Sequence, residues 1–461
     1  MKESYVNNVP GQGDRPAGTC NIRLGNINVG SMSGRANEVV EMLTRRKVDV
    51  CCLQETRWCG GSVRKIEGKD SLYKFFWSGD KSGFGGVGVM LAEKWIEAVL
   101  SVKRLNHRCM QIRFLVGTVI INVISCYAPQ AGLSAEEKDE FYEQMINLVS
   151  SVPDEEMLLI GGDLNGHVGE NTAGFEDVHG GHGYGNQNPD GVRILDFCLA
   201  NKLAVGNTFF KKCANQLITY SSGGNSTQID YILVRRSRLK NVKNINAIGS
   251  EECVTQHRLL VCDLVLRTEP AKSKFIPPRR KTWMLNDDNT RQVFEQSVNA
   301  LCQNIPEDVE NAWSHIKDGL LKATDETCGW TKGGIQRHKE TWWWSEDVDQ
   351  VIKEKRRAWK EWRNGGSKED YIKAKKLAKS AVYSAKRDAQ AEKFSCINNN
   401  SDRNRIFKIA KRMKRDNTDV VGEKCIRNDE GKLALSVDDK LKAWHSHYDK
   451  LLNEEYPWDQ Q

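Results

Sequence analysis

The chain has 461 residues, with 68 Lys and Arg against 61 Asp and Glu, and a net charge of +7. This length predicts two or three domains, and the composition excludes a collagen-like chain, wholesale disorder and a small disulfide scaffold. The charge is uneven, because residues 1–267 hold 30 basic and 29 acidic side chains, with 30 of the 38 glycines but only 3 of the 13 tryptophans. Residues 268–461 carry the remaining net charge of +6 and ten tryptophans, so we expect two regions of different kinds.

The first region alternates short apolar runs with amphipathic patterns. After a Gly- and Pro-rich arm at residues 1–19, runs such as VGTVIINVISCYAP are apolar on both faces, which favours strands buried between layers. We therefore expect one α/β domain at residues 20–267, built as two sheets covered by helices. Strands are predicted at Asn21–Val29, Val48–Leu53, Gly86–Leu91, Met110–Val116, Val119–Tyr127, Met157–Ile160, Ile229–Val234 and Leu259–Leu266, and helices at Arg35–Arg46, Ala135–Val149 and Val192–Asn201.

The second region begins with a change of pattern. Residues 268–286 combine Pro with Lys and Arg and lack periodicity, so they are predicted to form a basic linker, and residues 287–461 are predicted to be mostly α-helical. The longest helix has alanines at three- and four-residue steps and Lys or Arg mostly on its other faces, which could meet phosphates or form a solvated surface. Helices are predicted at Asp288–Cys302, Pro306–Thr324, Ser345–Arg363, Lys368–Ile397, Arg403–Arg412 and Val437–Asn453.

Targeting segments and disulfides are not expected. The longest apolar runs fall far below the roughly 20 residues that a membrane span requires, so no membrane partner is predicted. The N-terminus has no apolar core that a secretion machinery would recognise, so the protein is expected in the nucleus or cytoplasm. No Cys-x-x-Cys pair occurs among the 14 cysteines, and five of them are predicted to be buried thiols: Cys51, Cys52, Cys126, Cys198 and Cys262.

Polar side chains with chemical potential lie where predicted strands meet loops. Each has an ordinary explanation, because Asp, Asn and Gly favour turns at strand ends. As a set, they contain what metal-assisted hydrolysis of a phosphodiester requires. The set is Asn28, Glu55, Tyr127, Asp163, Asn165, Asp230 and His257.

The chemistry assigns a role to three members of this set. Mg²⁺ prefers oxygen ligands and is commonly held by one or two carboxylates, which suits Glu55, and Mn²⁺ is the alternative ion. Asp163 suits the base that removes a proton from the attacking water. Asn165, two residues later, would fix that geometry or meet the metal through its amide oxygen.

The remaining roles concern the phosphate itself. His257 and Tyr127 are expected to donate hydrogen bonds to the phosphoryl oxygens as charge develops there, with Asp230 orienting one of them. The pair Gly161 and Gly162 would allow the backbone to approach closely beside Asp163.

Six motifs, in this order, carry a resemblance to a known family: NINV, QETRW, CYAP, GGDLN, QIDYILV and TQHRLLV. Together they resemble the endonuclease/exonuclease/phosphatase superfamily, which includes deoxyribonuclease I, exonuclease III and the apurinic/apyrimidinic endonucleases, over residues 20–267. The resemblance implies a four-layer α/β sandwich of two β-sheets flanked by helices. It also implies a role for each polar residue of the set: Glu55 and Asn28 at the metal, Asp163 activating water with Asn165 beside it, Tyr127 on the phosphate, and Asp230 with His257 completing the site.

The helical region carries a second resemblance. The segments ETWWWSEDVDQVIKEKRRAWKEW, CIRNDEGKL and WHSHYDKLLNEEYPWD resemble the region between endonuclease and reverse transcriptase in non-LTR retrotransposons of the RTE/BovB type. Residues 287–461 are thus expected to be a helical connector region preceding a reverse transcriptase that is absent here. No polymerase palm or Phe/Tyr-x-Asp-Asp motif occurs in the sequence, so polymerase activity is not predicted. The expected partners are DNA and, as further options, a reverse transcriptase domain or element RNA.

One position departs from the family pattern. The family usually ends its site with Ser-Asp-His, whereas this chain has Thr255, Gln256 and His257. Gln256 is expected to accept a hydrogen bond from the imidazole but adds no negative charge, so the pKa of His257 should be less raised than in the usual pair. A reduced rate or an altered pH profile is predicted.

Three functions remain open on the sequence. The first is a Mg²⁺-dependent DNA endonuclease that nicks a target site and leaves a 3′ hydroxyl for a reverse transcriptase, a role that rests on the resemblance. The second is a catalytically weakened, retroelement-derived nucleic-acid-binding or chromatin-associated protein, which Gln256 and the basic helices favour. The third is another phosphoesterase of the superfamily, acting on inositol phosphates or lipids.

Binding of DNA by a nearly neutral first region requires local basic side chains. The candidates are Arg57, Arg108, Arg235 and Arg236, the last two in the run RRSRLK, which is otherwise a solvated turn. Trp58 would either stack on DNA or pack within its own loop.

The three consecutive residues Trp342, Trp343 and Trp344 point in different directions, so they cannot all join one core face. Their neighbour is the absent polymerase, the endonuclease or the other helices, and we favour the other helices.

Overall fold

The computed structural model describes residues 18–251, 256–268, 275–276, 278–331, 334–335, 343–395, 407, 410–411, 413–414, 416–420 and 425–453. The described residues within 1–270 and 340–461 form one compact unit, and those within 271–339 form a second. The connector region predicted at 287–461 is therefore divided between the two units. The helix predicted at 403–412, together with Thr255 and Trp342, lies wholly or mostly outside the described residues.

Two β-sheets form the centre of the first unit. The first sheet has the strand order β14-β15-β1-β2-β5-β4-β3, and its strands are β1 (Gly18–Asn28), β2 (Val50–Gln54), β3 (Gly61–Glu67), β4 (Leu72–Ser78), β5 (Val87–Ala92), β14 (Val242–Ile248) and β15 (Leu259–Thr268). The second has the order β10-β13-β9-β8-β7-β6, and its strands are β6 (Val99–Arg104), β7 (Cys109–Val116), β8 (Val119–Tyr127), β9 (Met157–Asp163), β10 (Leu203–Val205) and β13 (Asp230–Arg235). A small hairpin joins β11 (Tyr220–Ser222) to β12 (Asn225–Thr227).

The strand directions bring particular residues to one end of both sheets. Strands β1 and β2 are parallel and end together, and so do β8 and β9, in which Tyr127 pairs with Asp163. Strand β13 runs antiparallel to β9 and begins where β9 ends, with Asp230 opposite Asp163. We call this end of the sandwich the polar end, because it collects the side chains that the sequence singled out.

Helices cover both outer faces. One core cluster lies between the sheets, a second under α3 (Ala135–Ser150) and α4 (Pro189–Ala200), and a third under α1 (Ala36–Arg45). Helix α3 begins with a capping box between Ser134 and Glu137, and the short helices α2 (Glu93–Ile96) and α5 (Ala214–Leu217) occupy connections. The layers are thus helix, sheet, sheet and helix, which confirms the predicted four-layer sandwich. The five cysteines predicted to be buried are buried and free of disulfides.

Every strand and helix predicted for this region is present, with ends displaced by no more than three residues. The prediction missed β3, β4, β6, β10, β11, β12 and β14. Strands β3, β6 and β14 lie at sheet edges, where Lys and Arg interrupt the apolar pattern because one side of an edge strand faces solvent. The remaining missed strands are short, or like β4 mix Lys with aromatic residues, so their apolar runs gave no clear signal.

Two of the C-terminal helices pack against the sandwich. Helices α8 (Glu346–Arg363) and α9 (Lys368–Ser395) contact each other and form what we call the α8–α9 hairpin. Its Lys355 is buried and forms an ion pair of 2.7 Å with Glu38 of α1. Ala378 is also buried, which places the predicted alanine stripe on the packed side of α9. A further helix, α10 (Val437–Asn453), follows later in the chain.

The tryptophan cluster lies between the hairpin and the sandwich. Trp343 is buried, and Lys386 of α9 lies 4.7 Å from the centre of its ring. Trp343 and Trp344 line a cavity of about 410 Å³ together with residues of α1 and β3, including Glu38 and Arg64. The expectation that the other helices alone cover these side chains was therefore incomplete, because the sandwich contacts them as well.

A short segment later in the chain contacts an edge strand of each sheet. Within residues 416–420, which we call the edge segment, Asp416 pairs with Lys65 of β3 at 2.6 Å, and Asp419 pairs with Arg104 of β6 at 2.8 Å. Val420 is buried and joins the cluster between the sheets. Residues more than 150 positions beyond β15 thus contribute to the core of the sandwich.

The second unit is a small helical body. It contains β16 (Phe275–Ile276), a 3-10 turn at Thr282–Asn286, α6 (Asp288–Leu301), α7 (Val309–Thr327) and β17 (Gly334–Ile335). Arg280 donates to both oxygens of Asp325, at 2.6 and 3.0 Å, and lies over the ring of Trp330. The described part of the predicted linker therefore contains regular structure. Among the described helices of either unit, none has the length and apolar character to cross a membrane.

Candidate active site

The loops of the polar end hold three residues in an uncommon backbone conformation. Glu55, Arg57 and Asn165 have φ values of +51°, +53° and +52°. Side chains other than glycine seldom adopt positive φ, and such positions concentrate at functional sites. The turns after β2 and β9 therefore direct specific side chains into one space, where the seven predicted polar residues meet.

Glu55 follows β2 and receives three hydrogen bonds. Its Oε1 accepts from Asn28 Nδ2 at 2.9 Å and from the Tyr127 hydroxyl at 3.0 Å, and its Oε2 accepts from Arg57 Nη2 at 3.1 Å. Partial burial acts to raise the pKa of Glu55, but these hydrogen bonds outweigh it and hold the pKa below its usual value. Glu55 is therefore ionised at neutral pH.

Asn28 links the two halves of the site. Its Nδ2 also donates to Asp163 Oδ2 at 3.0 Å, so one amide bridges two carboxylates that come from different sheets. Its Oδ1 accepts from the backbone N–H of Gly30 at 2.9 Å, which fixes the orientation of the amide. Asn28 thus sets the spacing between Glu55 and Asp163.

Asp163 is the last residue of β9 and is almost completely buried. Burial, together with the negative charge of Asp230, raises its pKa above the usual value, against the opposing influence of His257. Asn165 donates its backbone N–H to Asp163 Oδ1 at 3.3 Å and its Nδ2 to the carbonyl of Ala128 at 2.9 Å. Asn165 therefore fixes the loop after β9 through these two hydrogen bonds, beside Asp163 as predicted.

Asp230 and His257 form a pair beside Asp163. His257 Nδ1 lies 3.0 Å from Asp230 Oδ2, and His257 Nε2 lies 3.8 Å from Asp163 Oδ2. Burial acts to lower the pKa of His257, but the charge and hydrogen bond of Asp230, joined by the other carboxylates, raise it to about 9. The imidazole is therefore protonated at neutral pH, with Nδ1–H donating to Asp230 and Nε2–H facing the centre of the site.

Tyr127 and Arg108 occupy the opposite wall. Burial, followed by the charges of Glu55 and Asp163, raises the pKa of Tyr127 far above its usual value, so its hydroxyl remains a hydrogen-bond donor. Gln130 Nε2 donates to the same hydroxyl at 3.4 Å. The Arg108 guanidinium lies 5.7 Å from the centre of the Tyr127 ring and donates to the Tyr127 carbonyl at 3.3 Å, which places Arg108 at the polar end as predicted.

Several supporting residues were missed by the sequence. Thr219 Oγ1 accepts from the backbone N–H groups of Ile229 and Asp230, each at 3.1 Å, and Asn207 Nδ2 donates to the Asp230 carbonyl at 3.1 Å. The ring of Tyr220 packs on His257 with centres 4.7 Å apart. These residues come from a 3-10 turn and a minor hairpin with no pattern of their own, so no sequence signal indicated them.

Gln256 does not have the predicted contact. Its side chain is exposed, and Nε2 donates to Ser222 Oγ at 3.3 Å, whereas Asp230 receives the hydrogen bond from the imidazole. The expected acceptor role of Gln256 was therefore wrong. The raised pKa of His257 comes from carboxylates that belong to other strands, so it does not require a charge at position 256.

Two of the predicted DNA-binding arginines lie at the wrong end of the sandwich. Arg235 is the last residue of β13, whose first residue is Asp230, so it lies roughly 17 Å from the polar end at about 3.3 Å per residue. Its buried guanidinium donates to the carbonyls of Pro153 and Val152 at 2.6 and 3.1 Å. Arg236 pairs with Asp177 at 3.0 Å. Arg235 holds a loop in place, and neither residue is positioned to contact a substrate at the polar end.

The other expectations near the site concern packing. Trp58 lies 4.9 Å from Trp77 and 5.2 Å from Phe75, centre to centre, so it packs within an aromatic cluster. A Cβ on Gly161 would lie 2.9 Å from Cys52 Sγ, and one on Gly162 would lie 2.4 Å from Cys126 Sγ. The two glycines therefore permit close approach of β9 to its neighbours within the protein.

The donor set fits a hard divalent cation. Asp163, Asp230 and His257 offer ligand atoms within 4.8 Å of one another, and Asp230 Oδ1 is buried with no hydrogen-bond partner among the described residues. The imidazole of that group is already paired with Asp230, however, so it is poorly suited to ligate. Glu55 is better suited, because its Oε2 meets only the exposed Arg57 and carboxylate oxygen is the ligand that Mg²⁺ prefers.

Residues 18–245 match the family model described as Endonuclease/Exonuclease/phosphatase family. This part of the chain is similar to that family. The matched residues include six of the seven polar side chains of the site, and the strand pairing of β15 beside β1 brings His257 to the same place from beyond the match. The family match thus agrees with the sandwich and with the residues at its polar end.

Curated relatives and solved structures are similar to part of this chain. Craniofacial development protein 2 of Bos taurus is 28% identical over 291 residues, which is 62% of this chain and 47% of that protein. The protein of the same name from Tragulus javanicus is 29% identical over 258 residues, or 55% and 43%. The chain spans about half the length of these relatives. The endonuclease domain of TRAS1, a telomere-specific non-LTR retrotransposon, is 15% identical with a TM-score of 0.38, covering 53% of this chain and 98% of that one. The catalytic domain of Xenopus laevis APE2 is 15% identical with a TM-score of 0.41, covering 54% and 94%.

Proposed function

We propose that the sandwich is a Mg²⁺-dependent endonuclease that hydrolyses phosphodiester bonds of DNA, with Mn²⁺ as an alternative ion. The observation that carries this proposal is the meeting of Glu55, Asp163 and the Asp230–His257 pair at the polar end, bridged by Asn28. The family model that residues 18–245 match includes hydrolases of this kind in its name. The retrotransposon role, in which a target site is nicked to prime reverse transcription, is part of the proposal and rests on the resemblance of the C-terminal region.

The residues of the site have complementary tasks. Asp163 accepts a proton from the attacking water, and its raised pKa brings it nearer to the pH at which a base is most effective. The water oxygen bonds to phosphorus, the P–O3′ bond breaks, and the leaving O3′ takes up a proton, so the products are a 5′-phosphate and a 3′ hydroxyl. Protonated His257 and the Tyr127 hydroxyl donate hydrogen bonds to the phosphoryl oxygens as negative charge builds there.

Glu55, and Asn28 through its Oδ1, are the residues that would hold the cation. When bound, the cation would neutralise charge on the phosphate and at the leaving oxygen. Asn28 would also keep the two carboxylates at a fixed separation, because its Nδ2 contacts both.

A supercoiled-plasmid nicking assay in Mg²⁺ tests the activity. We expect the wild type to convert supercoiled plasmid to the nicked form, and Glu55→Ala and Asp163→Asn to leave it supercoiled. The second candidate, a nucleic-acid-binding protein without catalysis, is favoured by the net charge of +6 on residues 268–461. It would be supported if all three proteins shift the plasmid on a gel and leave it equally intact.

A binding measurement tests the cation without requiring catalysis. A ligand at ten times its Kd stabilises the folded state by about 1.4 kcal/mol, which raises Tm by roughly 2–4 °C for a domain of this size. We expect millimolar Mg²⁺ to raise the Tm of the wild type by this amount and to leave Glu55→Gln unchanged. An equal rise in both proteins would remove Glu55 from the cation site.

A further inference from the structure

The C-terminal end of α8 reaches the polar end of the sandwich. Trp359, Trp362 and Arg363 of this helix line a cavity of about 30 Å³ together with residues around the catalytic histidine, which are Ser221, Ile248, Gly249, Glu251, Gln256, His257 and Arg258. Such a volume admits little more than one water molecule, so the helix end and the His257 loop are nearly in contact. The end of the α8–α9 hairpin therefore forms a wall against the loop that carries His257.

The position of this wall is fixed by packing. Trp359 is buried, and the ring of Trp362 stacks on Tyr371 of α9 with centres 5.3 Å apart and planes 12° from parallel. The buried ion pair of Lys355 with Glu38 attaches the same helix to α1. Arg363, the last residue of α8, is thus held on a rigid support beside His257, with its guanidinium 5.9 Å from the centre of the Trp359 ring.

Two positive charges meet at this wall. Glu251 also lines the cavity, but its carboxylate is paired with Arg45 and Arg46. Burial and, second, the charge of Arg363 lower the pKa of Arg258, so the two guanidinium groups are close enough to repel each other. Arg258 donates to the backbone carbonyl and side-chain oxygen of Asn215 at 2.7 and 2.8 Å. In the described part of the chain neither arginine forms an ion pair with a carboxylate. Adjacent guanidinium groups beside the loop that carries His257 are a favourable site for a phosphate group, which accepts charge-assisted hydrogen bonds from both.

We propose that Arg363 of the α8–α9 hairpin contacts a backbone phosphate of the DNA strand that is being cut, on the His257 side of the scissile bond and together with Arg258. This inference rests on the proposed endonuclease function. It makes the C-terminal helices part of the DNA-binding surface, so the near neutral sandwich receives basic groups from the basic region of the same chain.

The test measures binding separately from cutting. A fluorescent duplex DNA is titrated with the full chain in EDTA, where no cutting is expected, and the anisotropy gives Kd at several salt concentrations. For Arg363→Gln we expect Kd to rise about fivefold to thirtyfold, and the slope of log Kd against log salt to fall by about one. In the nicking assay, KM should rise by a similar factor while kcat stays within about twofold.

The matched control is Arg357→Gln. Arg357 lies on the same helix, is exposed, and pairs with Glu361 four residues later, so its loss should leave Kd within about twofold of the wild type. Arg363→Glu should weaken binding more than Arg363→Gln, and thermal unfolding shows whether each variant is folded. If folded Arg363→Gln binds with the Kd and salt slope of the wild type, Arg363 only stabilises the end of α8 and the inference is overturned. A wild type that binds DNA through Arg363 and never nicks it would overturn the proposed function alone.

Discussion

Strand β9 carries a buried carboxylate at each end, and the two ends differ in how these acids are paired. Glu156, just before the strand, receives hydrogen bonds from Arg113 Nε at 2.9 Å and Asn122 Nδ2 at 2.7 Å, and its other oxygen pairs with the same guanidinium. Asp163, at the other end, lies beside Asp230 and receives weaker support from Asn28 and Asn165. One acid is fully neutralised, whereas the other belongs to a cluster with more negative charge than its neighbours compensate.

The comparison distinguishes a buried carboxylate that stabilises the fold from one that is available for catalysis. A carboxylate paired by a bidentate guanidinium has no capacity left for a substrate or an ion. A buried carboxylate beside another acid has a raised pKa, and it is stabilised when a proton or a cation binds. Glu156 and Asp163 are both buried, so their properties differ because of their hydrogen-bonding and charged partners.

The largest expected effect comes from exchanging the two acids for amides. Asp163→Asn should lower the nicking rate by about 10²–10⁴-fold, because the proton acceptor is lost, with little change in Tm. Glu156→Gln should leave the nicking rate within about threefold but destabilise the fold by about 1–3 kcal/mol, because the hydrogen bonds from the partly buried Arg113 lose their charged acceptor. Nicking assays below the Tm and thermal unfolding measure both. Equal losses of nicking in the two variants would contradict the comparison.

A second effect concerns pH and the Asp230–His257 pair. The pKa of His257 is raised to about 9, so the stability that the charged imidazole provides is complete below its unfolded pKa of about 6.5 and is lost as pH rises through about 9. Nicking should decline over the same alkaline range, because neutral imidazole loses the Nε2–H donor. In Asp230→Asn, the imidazole titration observed by NMR and the alkaline limb of the rate profile should both move by about one pH unit or more to lower pH. Unchanged midpoints would mean that Asp230 does not govern this proton.

A smaller effect distinguishes Arg235, at the far end of β13, from Arg57, at the polar end. Arg235→Gln should destabilise the fold by about 1–3 kcal/mol, because buried carbonyls lose their donors, while Kd for duplex DNA stays unchanged. Arg57→Gln at the polar end should have little effect on Tm and should lower the salt slope of DNA binding by about one. Weaker DNA binding by Arg235→Gln would restore the RRSRLK run as a DNA contact.

The smallest effect is expected at position 256. Gln256→Asp places a negative charge near His257, but the side chain is exposed and solvent screens it. We expect the His257 titration to move upward by only a few tenths of a pH unit and the nicking rate to rise less than tenfold. A larger gain would show that the neutral residue limits the activity, as the sequence predicted.

The sequence indicated the site well where strands end in polar residues. Asn28, Glu55, Asp163 and Asp230 each lie next to an apolar run, and strands in register bring such ends together. It did not indicate Thr219 or Asn207, because their contacts depend on how an irregular loop folds back over β13. The spacing of residues in the sequence does not show how that loop folds back.

The misassigned arginines have a physical reason. RRSRLK is locally as basic as a DNA-binding loop, but strand direction decides which end of a sheet a residue occupies. Arg235 ends a strand that begins at the site, so it falls at the far end, where the loop after α3 supplies the carbonyls of Val152 and Pro153 for its guanidinium. Composition alone could not reveal that orientation.

The edge segment sets the order in which the protein can finish folding during synthesis. Residues 416–420 emerge from the ribosome long after Lys65 and Arg104, with which they form ion pairs. The same holds for the core residues that surround Val420. At translation speeds of about 5–20 residues per second, Lys65 and Arg104 wait roughly 10–30 s after β15 is made before their partners in this segment appear. During that interval the cluster between the sheets also lacks the side chain of Val420, so the last part of the core to close is the part that the edge segment fills.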